Sequence, residues 1–576
     1  MRFANFARTA ALAVVAFIIH PAAAQPGEQS ASPVSYTVAA VMESGALAGL
    51  VVEIRFAGDA DGETKLDLPG SWAGTDSLWR QVEDLRVEGA ASVREDGGEV
   101  RVITHAPGAA LAVRYRVKPA YAAEPAFEYH KALPLILPGW FFFHGEGVFA
   151  TPAGREQAPA RFAWAGFPAE WTLASDLDHL AGARPGTVND VVESAAIGAP
   201  DLVVVRREVG GAPLRVAMRG PWDFTPEAFA DAVAAVVQAE NALWGDAGRP
   251  FVVPLAPLGS GPGLSYTGTG RADAFSVAST TGFPLDEASR FLAHEYMHTW
   301  IGGEIGDAPR EAASAFWLTE GFADFYGPRG LLRAGLWTPA DYAAELNRVL
   351  LRNASSPARA VPNSAIVERF WDDADVHQLP YDRGHLLALL LDHRIRTHTG
   401  GRADMDDVLR AQRATDARNR QAGARVDAAT LFPTVVQREL GMDVTAELAR
   451  HVERGEPVTL PADLFGTCAR VETATQPDFD RGFDLAATNA TRVITGLDPA
   501  SPAYAAGLRD GMRLIRRESG EIGNAAVEIV YRVEDAGTER IIRYLPQGKG
   551  RITLQRIVLT PDAASEPCVR LMSGSG

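Results

Sequence analysis

Two histidines four residues apart, in His294-Glu295-Tyr296-Met297-His298, set the strongest limit on how this chain folds. On a helix, positions i and i+4 project from one face on successive turns, so the two imidazoles converge on one point. Glu295 stands about 100° round the same helix. From there its carboxylate reaches a water held on a metal ion but not the ion itself, which is the place of a general base rather than a ligand. The segment therefore has to be helical, and its histidine face has to be met by another element that completes the coordination.

A catalytic zinc takes three protein ligands and keeps a fourth position open for water. Twenty-one residues separate His298 from Glu320, which lies in Phe316-Trp317-Leu318-Thr319-Glu320-Gly321-Phe322-Ala323-Asp324-Phe325-Tyr326. Ile301-Gly302-Gly303 and Asp307-Ala308-Pro309 end the first helix and turn the chain, and a second helix is expected from Arg310 until Gly327-Pro328 stops it. Two helices joined in this way bring His294, His298 and Glu320 together around one Zn²⁺ per chain. Asp324, four residues after Glu320, shares its face and is placed to accept the second ring N–H of a ligand histidine.

With these residues the chain resembles the gluzincin metallopeptidases, whose third zinc ligand is a glutamate on a second helix. Trp-Leu-Thr-Glu-Gly-Phe after His-Glu-Tyr-Met-His-Thr-Trp is most similar to the glycyl aminopeptidase family. The resemblance implies a β-rich N-terminal domain, a thermolysin-like catalytic domain and a PDZ-like domain. The spacer is shorter than in many glycyl aminopeptidase relatives, so the loop between the zinc helices is pared down. Tyr381, in Leu379-Pro380-Tyr381-Asp382-Arg383-Gly384 ahead of the apolar run His385 to Leu391, matches the family tyrosine that stabilises the tetrahedral intermediate. A tyrosine that caps the helix start is the structural alternative. His385, His393 and His398 have no ligand spacing with a partner and read as satisfied surface or core histidines.

Residues 1–24 read as a secretory signal: Arg2 and Arg8, an apolar run from Ala10 to Ile19, and Ala22-Ala23-Ala24 before Gln25. The run is too short to span a bilayer. A soluble exported protein, periplasmic or secreted, is expected, a retained N-terminal anchor being the alternative; no membrane span follows once the signal is removed. A net charge of −17 with no basic block argues against nucleic acid or an anionic membrane as a partner, while peptide substrates are what the family resemblance implies. The only cysteines are Cys468 and Cys568. In an exported chain such a pair is expected to bridge, with two buried thiols as the alternative; a loop of about 100 residues gains roughly 4–5 kcal/mol from chain entropy.

The 576 residues divide into three expected domains after the signal. Residues 25–219 carry short alternating runs such as Val51 to Phe56 and Val100 to Ile103, separated by Gly, Asp and Pro, and read as an antiparallel β-sandwich with no chemistry of its own. Residues 220–455 are the thermolysin-like α+β zinc domain with a helical half; it opens on Thr225-Pro226, a cap and first-turn proline, and carries an edge strand beside the zinc cleft. Residues 456–576 hold Val493 to Ile515, similar to bacterial PDZ domains. This module either binds a peptide end by strand addition or packs within the chain as an appendage.

One segment departs from the family. Aminopeptidases of this kind carry a Gly-Gly-Leu-Glu-His-type strand before the zinc helix, whose acid holds the substrate's free amine. Here the region reads Gly268-Thr269-Gly270-Arg271-Ala272-Asp273-Ala274-Phe275-Ser276. Asp273 is the candidate substitute, with Arg271 on the same face of the edge strand. The expected activity is peptide hydrolysis by an aminopeptidase acting on small N-terminal residues, with Glu295 as base and Tyr381 as oxyanion donor. The alternatives are a zinc endopeptidase and a non-catalytic peptide-binding protein.

Overall fold

The structure is a computed structural model that describes residues 33–125, 129–180, 186–259, 265–271, 273–307 and 313–574. The expected signal segment lies outside these residues. In the N-terminal part, a six-stranded sheet and a four-stranded sheet enclose an apolar core that includes Tyr36, Val52, Ile54, Leu66, Ile103, Tyr115 and Phe149. The larger sheet is not wholly antiparallel as expected, because Val34–Glu43 pairs in parallel with Pro159–Ala165.

A third sheet carries Trp140–His144 at its centre and works in both directions. Successive residues of a strand face opposite sides. Phe141 and Phe143 therefore join the N-terminal core, while Trp140 and Phe142 join a second core with Val252, Ala256 and Ala278. All four aromatics are buried, so this strand serves as packing for two units at once.

The zinc domain begins earlier along the chain than residue 220. Val203–Val209 and Ala212–Met218 hydrogen-bond into the five-stranded sheet that continues through Phe251–Leu258, Phe275–Thr280 and Tyr266–Gly270. By sheet pairing the change of unit falls near residue 200. The helix Pro226–Trp244 starts as the sequence reads, with the Thr225 hydroxyl accepting from the Ala228 N–H and Pro226 in the first turn. The helical half contains Pro339–Ser355, Asn363–Arg369, Ala374–Thr399, Met405–Gln421 and Ala428–Leu440.

Two helix boundaries differ from expectation. The second zinc helix runs Phe316–Arg333, straight through Pro328. An interior proline costs about 3 kcal/mol of helix propensity, but nearly every residue of this helix is buried, and its packing outweighs that penalty. Tyr381 does not precede its helix: the helix starts at Ala374, where the Asp373 carboxylate accepts from the Asp375 and Val376 N–H groups.

The C-terminal module has a long antiparallel pair, Ala469–Phe479 with Gln547–Leu559, and a three-stranded sheet of Arg513–Ser519, Ile529–Asp535 and Thr538–Tyr544. Phe483, Ile494, Leu508, Met512, Tyr531 and Val533 form its own core. Its base is built into the zinc domain. The Asn347 side chain exchanges two hydrogen bonds with the backbone of Ile557, at 3.0 and 2.7 Å. Cys468 and Cys568 form the expected disulfide, which ties the start of the module to the helix Glu566–Ser573. No helix of the described residues is long and apolar enough to cross a membrane.

Candidate active site

The helix Leu285–Met297 carries His294 and Glu295, and His298 caps its C-terminus. The neighbouring helix Phe316–Arg333 supplies Glu320 and Asp324. His294 Nε2 lies 3.3 Å from Glu320 Oε2, His298 Nε2 lies 3.4 Å from the same oxygen, and the two Nε2 atoms are 3.2 Å apart. The centre of such a triangle is roughly 1.9 Å from each corner, just short of the zinc–ligand distances of about 2.0–2.2 Å. Among the described residues these three form the one group of His, Cys, Asp and Glu side chains able to hold a metal ion. The donor set of two imidazoles and one carboxylate suits zinc and leaves a coordination position open.

Both histidines are oriented by hydrogen bonds from their other ring nitrogen. His294 Nδ1–H donates to Asp324 Oδ1 at 2.8 Å, and His298 Nδ1–H donates to the Ile301 carbonyl at 3.3 Å. Each bond fixes the tautomer that presents Nε2 as a lone pair. Behind Asp324 stands Arg290, one turn before His294, with its guanidinium 3.5 Å from Asp324 and 3.6 Å from Glu345. Burial alone would raise the Asp324 carboxyl; the His294 contact and Arg290 hold it well below the usual carboxylate range. Glu320 is likewise driven up by burial and held far down by His298 and His294, so both acids stay ionised.

Tyr381 reaches the site because its helix touches the second zinc helix backbone to backbone. A Cβ on Gly384 would lie 2.0 Å from the Trp317 carbonyl oxygen and 2.6 Å from the Gly321 Cα, so only glycine fits this crossing. The crossing sits next to Glu320 and one turn beyond Tyr381. The Tyr381 ring lies 5.9 Å from the His294 ring and lines the same cleft as Glu295 and Glu320. Burial first, then the adjacent Glu320 and Glu295 carboxylates, raise its pKa well above the usual tyrosine value, which keeps the hydroxyl a proton donor.

The edge strand Tyr266–Gly270 runs along the first zinc helix. Its glycines permit the approach: a Cβ at Gly268 would lie 2.3 Å from the Phe291 ring and 3.1 Å from the Glu295 carboxyl carbon. The strand ends at Gly270, so Asp273 falls in the turn that follows and not in an edge strand beside the cleft. Asp273 lines a separate cavity with Asp176, Arg249 and Glu304 that shares only His298 with the zinc cleft. Arg271 turns away as well: it is buried, ion-paired with Glu146, and lies over the Trp72 ring at 5.0 Å. The expected amine anchor is therefore not assembled.

The N-terminal part does contribute to the site, against expectation. Trp72, Ala73 and Lys131 line the cleft, which has a volume of about 190 Å³. Lys131 donates to the Gly268 carbonyl at 3.2 Å, which anchors the edge strand. The helical half adds Phe316, Phe370, Trp371 and His377. Sequence offered only a weak signal for these: the Leu66 to Trp72 segment is legible as a strand and turn, but nothing in it marks a cleft. Arg290 was recoverable, since four residues before His294 it shares that histidine's helix face.

A family profile described as M61 glycyl aminopeptidase matches residues 287–368, which cover both zinc helices. Among curated proteins nothing matches the chain. Among solved structures, an aminopeptidase N family protein from Idiomarina loihiensis has a TM-score of 0.64 at 12% identity, over 94% of this chain and 100% of that chain. An M1 zinc metallopeptidase from Deinococcus radiodurans gives 0.48 at 19% identity, over 75% of this chain and 95% of that one. A mutant of the latter, bound to a Tyr-Ser-Ala substrate, gives 0.48 at 18% identity, over 75% and 95%. The chain thus shares the fold of an aminopeptidase N family protein, and the segment that resembles the glycyl aminopeptidases is the one that carries the ligand triangle. His294, His298 and Glu320 are the residues that would hold a zinc ion.

Proposed function

We propose that this protein is an exported peptidase that removes residues from peptide N-termini, with Glu295 as general base and Tyr381 as oxyanion donor. The observation that carries the reading is the convergence of a base, a protonated phenol and three oriented ligands on one cleft. Zinc, when bound, supplies a Lewis acid that lowers the pKa of a water and draws charge from a carbonyl. Glu295 takes the proton of the attacking water and hands it to the leaving amine. The Tyr381 O–H donates to the oxygen on which negative charge builds, a contact worth about 2.7–4 kcal/mol in comparable sites. The edge strand Tyr266–Gly270 offers backbone groups to an extended peptide.

The C-terminal module is read as PDZ-like from Gly507-Leu508-Arg509-Asp510-Gly511, and we assign it a supporting role. Where a peptide-accepting strand would run, Leu485–Thr491 is a helix, with the Asp484 carboxylate accepting from the Ala487 N–H at its start. An acid that caps a helix is poorly suited to receive a peptide carboxylate.

Internal cleavage is the second reading, favoured by one observation. Among the described residues, Glu295 and Glu320 are the only acids lining the cleft, so neither is spare to hold an ammonium. Peptides with free and acetylated N-termini separate the two. An aminopeptidase loses activity on the acetylated series, whereas efficient cutting inside a blocked peptide overturns that reading. In the same assay Glu295→Gln is expected to keep about one zinc per chain and lose hydrolysis by several orders of magnitude. Substantial turnover by this variant would remove Glu295 from the mechanism.

A further inference from the structure

The zinc cleft is walled by aromatic rings that the reaction does not use. Trp72 comes from the N-terminal part, Phe316 from the start of the second zinc helix, and Phe370 and Trp371 from the turn before Tyr381's helix. A volume of about 190 Å³ is below the roughly 300–1,000 Å³ of sites that take drug-sized ligands. It exceeds the roughly 150 Å³ of an apolar cavity able to hold benzene. The space thus fits one amino-acid side chain beside the scissile amide, and its walls suit a ring.

Trp371 is the most exposed of these rings, with 50% of its residue surface open to solvent. Yet its position is fixed: the ring meets Phe370 edge-on at 4.9 Å and His377 at 6.0 Å, and its far edge rests on Gly74. A Cβ at Gly74 would stand 3.2 Å from the indole, with the backbone at φ +75°, so glycine keeps the place open for the ring. Trp72, which lines the same cleft, is 8% exposed and lies within 5.0 Å of the Arg271 guanidinium and 5.8 Å of the Lys131 ammonium, measured to its ring centroid. Two indoles from distant parts of the chain thus line one opening.

We propose that this opening is the side-chain pocket of the substrate residue beside the scissile bond, that it takes large apolar and above all aromatic side chains, and that Trp371 is the residue that determines this specificity. The inference rests on the peptidase reading and departs from the small-residue preference that the family resemblance implies. Rings facing rings at such a site add binding beyond what the area they bury supplies. A glycine at the same position fills none of the pocket.

The test is a matched series of short peptides, identical except for Phe, Leu, Ala or Gly at the N-terminal residue, given to the zinc-loaded full chain. The wild type is expected to favour Phe over Gly in kcat/KM by about 10–200-fold, the span known for apolar pockets. Trp371→Ala should shrink that ratio at least tenfold, and Trp371→Phe should restore most of it. A wild type that prefers Gly, or a ratio unmoved in Trp371→Ala, overturns the assignment. Calorimetric binding of the same peptides to Glu295→Gln reads the pocket without turnover. If no peptide is cut yet Phe peptides still bind at least tenfold tighter than Gly peptides, the peptidase reading fails and the pocket stands. Equal binding of both refutes the pocket itself.

Discussion

Asp324 controls the zinc site from one bond away. Its carboxylate receives the His294 Nδ1–H and is itself flanked by Arg290, so charge, tautomer and ring orientation are coupled. Asp324→Asn keeps the volume and an acceptor but loses the charge. Zinc affinity is expected to fall about 10–100-fold, with the far-ultraviolet circular dichroism unchanged when zinc is in excess. Unaltered affinity in a competitive chelator titration would show that His294 needs no carboxylate partner. His294, Glu295 and His298, and separately Glu320 and Asp324, are legible from sequence because helical geometry sets the directions within each group. Asp273 is misread because its place depends on where a strand ends, and the end at Gly270 leaves it in the turn that follows, on another cavity. Lys131, Trp72 and Trp371 enter the cleft through tertiary folding and have no local pattern.

At the scale of elements, the helix crossing at Gly321 and Gly384 is what joins catalytic tyrosine to metal ligand. Gly384→Ala forces the two helices apart, since the added carbon would overlap the Trp317 carbonyl. Overpacking of this kind costs about 1–3 kcal/mol, which should appear as a lower urea midpoint. Because Tyr381 lies one turn from the crossing, kcat should fall with it more than KM rises. Wild-type stability and turnover in this variant would mean that the crossing is looser than described. Sequence patterns gave the zinc helices and the Thr225-Pro226 start correctly, since caps and periodicity are local. They failed at Pro328 and before Tyr381 for one reason: in both, burial or a distant capping aspartate overrides the usual meaning of proline.

For the whole molecule, a β-rich N-terminal part followed by a helical region was readable from composition and turn spacing. Strand pairing joins the segment from near residue 200 to the zinc domain's sheet, and Asn347 hydrogen-bonds the last module to the zinc domain. The strand Trp140–His144 carries the further consequence. It behaves like a mortar joint, with alternate rings set into either course of bricks. A chain cut near residue 200 would leave Val252, Ala256 and Ala278 facing water on one fragment and Trp140 and Phe142 on the other. Calorimetry of the intact protein is therefore expected to give one transition for the N-terminal and zinc-binding parts together, and a fragment starting at residue 200 is expected to aggregate. A soluble fragment that melts separately would contradict this. Such a joint also allows the aromatic wall at Trp72 to be held against Trp371 without a hinge: the two sides of the cleft are fired in one kiln, and the width of its mouth is set when the chain folds.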